Sequence, residues 1–143
     1  MPAPQTYANH RRLDPLHHFV LQPVLLITWI ATLWQAVRFP SLHSAWVAVL
    51  GLAILFMAIQ LRSYALKVQD RVIRLEETLR MERLLPAELR ARIPELSVKQ
   101  MVGLRFAADA ELPQRVQEAL GENLGAESIK KRIQTWRPDF FRV

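Results

Sequence analysis

The chain has no cysteine and only four glycines in 143 residues. Without cysteine there is no disulfide framework, thiolate nucleophile, iron-sulfur cluster or cysteine zinc site, and redox compartment stays open on this criterion. Glycines at 51, 103, 121 and 125 cannot assemble a Walker loop or a dinucleotide fingerprint. Neither a G-x-S-x-G elbow nor an H-E-x-x-H motif occurs, so an enzyme is not expected. Charge is missing over two long runs: FVLQPVLLITWIATLWQAV from Phe19 to Val37, and AWVAVLGLAILFMAIQL from Ala45 to Leu61. No stretch alternates Val, Ile and Thr as a strand does. The expected fold class is an all-α membrane protein.

The first run matches the ~20 residues that cross a ~30 Å hydrocarbon layer, and predicts a transmembrane helix over 16–38. Gln22 and Pro23 lie near its start, where a missing amide costs least. The second predicts a transmembrane helix over 44–62, lengthened by snorkelling of Arg62 and interfacial anchoring of Tyr64. The loop 39–43 between them permits only a hairpin, with Pro40 as a stop and Ser41 as an N-cap. Trp34, Phe39 and Trp46 gather at that end as an aromatic belt. Arg11 and Arg12 precede the first span, Arg62, Lys67, Arg71 and Arg74 follow the second, and the loop end holds only Arg38. Both termini, including the N-terminal segment 1–15, are therefore expected in the cytoplasm. A cleavable signal peptide does not fit, because the apolar core is too long and a second span follows at once. Nor does a twin-arginine signal, since Arg11-Arg12 is followed by Leu-Asp-Pro. The net charge of +6 suits an anionic membrane face. Arg11, Arg12, Arg62, Lys67, Trp34 and Trp46 are the candidate lipid-interface residues.

From Ser41 to Leu85 no proline intervenes, which permits one helix of about 43 residues, some 64 Å long, whose part over 63–85 forms a cytoplasmic stalk. Read in sevens, Ser44, Gly51, Ala58, Ala65, Val72 and Leu79 share one core position, and Val47, Ile54, Leu61, Val68 and Leu75 the other. Asp70 with Arg74 and Glu76 with Arg80 are spaced i, i+4 on the outer faces. Arg71 and Glu76 flank the seam where they would meet across a parallel dimer. The candidate interaction residues are Leu61, Ala65, Val68, Val72, Leu75 and Leu79. Two occupants of this stripe remain open: a second copy, or the chain's own C-terminal helices.

Residues 86–143 predict a small helical domain. PAELRARI places Pro86 at a helix start, and Ser97 with Gln100 forms a capping box. Pro113 starts a further helix, with Gly121 and Gly125 as stops. A last helix carries Ile129, Ile133 and Trp136 until Pro138 ends it. The pairs Glu76-Glu77 and Asp109 with Glu111 read as solvated carboxylates. His10, His17, His18 and His43 are the only candidates for metal or haem; His17 and His18 lie a bilayer away from His43, so the expectation is headgroup contact and no cofactor. Lys130, Lys131 and Arg132 lie beside Trp136, Phe140 and Phe141, but no motif for reading DNA or RNA accompanies them, and nucleic acid is not the expected partner.

Four segments carry a resemblance: QTYANHRRLDPLHHFVLQP (Gln5 to Pro23), KVQDRVIRLEETLRMERLL (Lys67 to Leu85), LSVKQMVGLRFAADAELP (Leu96 to Pro113) and IKKRIQTWRPDFFRV (Ile129 to Val143). Together they resemble the successive motifs of an uncharacterised bacterial family of small two-span membrane proteins, a domain of unknown function. The resemblance implies topology and a bacterial inner-membrane location, and no activity. The leading functional expectation is a membrane-anchored interaction or scaffold protein acting with a second copy or a protein partner. The alternatives are an accessory subunit of a larger transport or energy-converting complex and, below it, an oligomeric channel.

Overall fold

The computed structural model describes residues 5–10 and 14–140, and its secondary structure is helical, with no strand among the described residues. Helix α1, Leu16–Arg38, begins as a π-helix over Leu16–Leu21 before tightening at Gln22. Pro23 supplies the reason: it has no N–H, and its ring crowds the carbonyl four residues back. The wider winding is seen at Gln22, whose N–H reaches the His17 carbonyl five residues away. Helix α2 runs unbroken over Leu42–Leu84, 43 residues. It starts at a compact serine pair, where the Ser44 N–H donates to Ser41 Oγ at 3.0 Å and the Ser41 N–H to Ser44 Oγ at 3.0 Å. The expected bounds of this long helix hold to within a residue at each end.

Two compact units emerge: Arg12–Leu66, and Met1–Arg11 joined to Lys67–Val143. In the first, α1 and α2 meet where Gly51 faces Trp29 and Thr32; a β-carbon there would stand 3.3 Å from Thr32 Oγ1. Ser44 and Ala48 are buried on the same face, and Ser44 Oγ donates to the Phe39 carbonyl at 2.9 Å. Small residues thus let two helix backbones approach. Ser44 and Gly51, read above as part of a seam continuous with the stalk, face α1 instead.

The second unit packs α3 (Ala87–Arg90), a 3-10 turn (Ile93–Glu95), α4 (Val98–Leu104), α5 (Leu112–Gly121) and α6 (Ala126–Arg132) onto the end of α2. Its core contains Met81, Leu85, Met101, Leu104, Phe106, Leu112, Val116 and Ile129, all essentially without solvent exposure. The capping box forms as expected: Ser97 Oγ accepts from the Gln100 N–H at 3.2 Å, and Gln100 Oε1 accepts from the Ser97 N–H at 2.8 Å. Gly103 is needed because a β-carbon would come within 3.1 Å of the Ala126 carbonyl oxygen on α6.

Two expectations change. The last helix stops at Arg132 rather than running on to Pro138, because Glu111 captures the next backbone amides. The chain beyond it is irregular, with bends at Gln134 and Thr135, and Ala107 and Trp136 form an isolated antiparallel bridge. Helix α5 does stop at Gly121, and the left-handed residue after it is Asn123, at φ 48°. Finally, the boundary at Pro86 does not divide the structure. Residues before it on α2 and the arm from Gln5 to His10 belong to the same unit as the C-terminal helices. The Asp139 N–H donates to Gln5 Oε1 at 2.8 Å, and Tyr7 Oη donates to Glu127 Oε2 at 2.9 Å.

Candidate functional site

The stalk part of α2 presents two faces. One carries Ile73, Glu77, Arg80 and Met81, all buried against the C-terminal helices. Burying a guanidinium is costly unless its donors are met, and those of Arg80 are. Nη1 donates to Glu77 Oε2 at 2.9 Å, Nη2 to the Ala107 carbonyl at 2.6 Å, and Nε to Asp109 Oδ1 at 2.8 Å. Glu77 Oε1 accepts in turn from Arg137 Nη1 at 3.1 Å. This cluster fastens α2 to the loop before α5 and to the irregular segment at Arg137. Sequence reasoning missed it by taking Glu77 as solvated and Arg80 as the surface partner of Glu76. The missed signal is spacing: Ile73, Glu77, Arg80 and Met81 recur at helical period beside the apolar stripe.

The other face is the predicted stripe, and it is uncovered. Leu61, Val68, Val72, Leu75 and Leu79 are all exposed, Leu75 by 62%, and Ala65 is half-buried. At 3.6 residues per turn the stripe lies roughly 145° around α2 from the buried face. Of the two occupants left open by the sequence, the chain's own helices take a different face. The predicted Asp70–Arg74 and Glu76–Arg80 pairs are also absent, and Arg71 and Glu76 are exposed on either side of the stripe.

Among the lipid-interface candidates, Trp34 and Trp46 are 64% and 60% exposed, Lys67 is exposed and Arg62 is half-buried. Arg11 and Arg12 lie outside the described residues, as does Phe141. The histidines part company. His10 is buried rather than at a headgroup surface, with its ring 5.8 Å from Trp136 and 6.0 Å from Phe106, and with Nδ1 donating to the Tyr7 carbonyl at 2.6 Å. His17 and His18 lie in the other compact unit. No group of histidines and carboxylates that could hold a metal ion forms among the described residues. The basic cluster near the C-terminus is engaged within its own unit. Arg132 makes two 2.7 Å bonds to Glu122, and Lys131 lies over the Tyr7 ring.

Glu111 is a structural carboxylate. Burial would raise its pKa, but the Thr135 and Gln134 amides and the Arg115 guanidinium together outweigh burial and hold it below the usual range. The distances are 2.9 Å from the Thr135 N–H to Oε2, and 3.0 and 2.7 Å from the Gln134 N–H and Arg115 Nε to Oε1. Arg132 likewise lowers the pKa of Glu122 through their hydrogen bonds.

Two helices long and apolar enough to cross a membrane, joined to an all-helical unit, define the class to which this chain conforms. It belongs to a family of unknown function, DUF6526, whose model matches residues 1–143. Comparison with curated proteins and with solved structures gave no match.

Proposed function

We propose that this chain is a non-enzymatic, membrane-anchored interaction or scaffold protein of the bacterial cytoplasmic membrane. In this reading α1 and the first part of α2 form a transmembrane hairpin. The helical unit, with both chain termini, stands in the cytoplasm. One observation carries the reading. The chain leaves the helical unit after His10 and returns to it at Lys67, and the apolar runs of the two helices between those points hold almost no buried residue.

The return requires an even number of crossings, so both helices cross or neither does. Leaving both in water is the dearer choice. Phe19, Ile27, Val37, Leu42, Val49 and Phe56 are each more than half exposed, and each full burial of such a side chain is worth about 1.5–3 kcal/mol. A monomeric soluble protein does not leave a continuous surface of that kind. The excess of cations beside Lys67 over the loop end favours placing the unit on the cytoplasmic side. Fractionation of cells expressing the full chain tests the anchor. The protein should stay in the membrane pellet through alkaline carbonate washing, and recovery in the soluble fraction would end the proposal.

A further inference from the structure

We infer that the exposed stripe of α2 is the docking surface for a second copy of this chain, aligned parallel in the same membrane. The inference rests on the membrane anchorage proposed above and names its partner. Val68, Val72, Leu75 and Leu79 fall at a and d positions of successive heptads and are 48–62% exposed. The rest of the helical unit is packed on the far side of the helix, through Ile73, Glu77, Arg80 and Met81. Self-docking is therefore not blocked by the chain's own fold.

Charge selects the occupant. In this register Arg71 is at g and Glu76 at the following e, the two positions that meet between chains of a parallel coiled coil. Both are exposed. A second copy brings the complement of each, two pairs from one sequence. An unrelated partner has no reason to find both signs on one chain at this spacing. Anchorage in one bilayer also imposes the parallel direction, because both copies enter it with the same orientation.

Area sets the strength. Half-exposed Val and Leu side chains offer on the order of 100 Å² each, or some 400 Å² per copy from these four, about half of the ~800 Å² per partner of a standard interface. Such a contact does not hold free proteins together at low concentration. Confinement in one membrane raises the effective concentration and makes a short seam sufficient. The dimer is thus expected in the bilayer and lost on dilution in detergent.

The absence of cysteine makes disulfide trapping direct. Full-length Val72→Cys, Leu75→Cys and Arg74→Cys chains are oxidised in native membrane vesicles. Arg74 is exposed and lies about 140° from the seam, and so serves as the control. The seam positions should yield a product of twice the chain mass, at least fivefold above Arg74→Cys. Adding Arg71→Glu to Val72→Cys should lower that yield severalfold, and adding Glu76→Arg as well should restore it. Equal yields at all three positions, no dimer at the seam, or a product containing a foreign protein overturns the inference. Carbonate extraction of the same samples separates the two proposals: an extracted chain refutes the anchorage, whereas a retained chain without seam cross-links refutes only the second copy.

Discussion

Arg80 and its partners show how burial, rather than distance, ranks the ion pairs of this molecule. Of its two ion pairs the one with Asp109 is the shorter, at 2.6 Å, yet the Asp109 side chain is 65% exposed, and such a pair is worth about 0–1 kcal/mol. The contact with Glu77 is longer, at 2.9 Å, but both side chains are buried, and removing one partner of a buried pair costs about 3–5 kcal/mol. Arg80→Met should therefore lower the urea midpoint for proteolysis of the full-length chain far more than Asp109→Asn. Equal effects would refute the ranking. Glu111 predicts a pH response. Its folded pKa is depressed, so its contribution is complete above the ordinary glutamate value of about 4.3 and is lost as pH falls through the lower folded value. Glu111→Gln should then flatten the loss of stability below about pH 4.3, while lowering stability at pH 7. Neither residue could be ranked from sequence. A charged residue on an amphipathic helix carries no local mark of the loop that will cover it, and the amides that Glu111 binds lie 23 and 24 residues away.

Elements were far more legible than contacts. The two apolar runs and the absence of proline from Ser41 to Leu85 are local properties, and they set α1 and α2 nearly to the residue. The capping box at Ser97 is local too. The early end of α6 is not, because it depends on Glu111, and no periodicity in Ile129, Ile133 and Trp136 reveals that capture. The closeness of α4 to α6 is written in one residue, Gly103. Alanine there gains up to about 1 kcal/mol of helix preference, but overpacking against the Ala126 backbone costs about 1–3 kcal/mol. Gly103→Ala is expected to destabilise the helical unit by roughly 1–2 kcal/mol net, read as a lower urea midpoint. A raised midpoint would mean that α6 shifts freely.

At the scale of the whole chain, the informative feature is the N-terminal arm. Gln5, Tyr7 and His10 pack with Asp139, Glu127 and Trp136, more than a hundred residues away, and a separation of that kind leaves no sequence signal. The arm joins the C-terminal helices in one compact unit. The apolar stripe was legible because heptad spacing is local; its freedom from the chain's own helices was not. Two-sided labelling of the cysteine-free chain tests the account at its centre. In sealed cells, a membrane-impermeant thiol reagent should label His43→Cys, in the first turn of α2 beside the interhelical loop, and leave Glu88→Cys untouched until the membrane is permeabilised. Labelling of both from outside, or of Glu88→Cys alone, would contradict it.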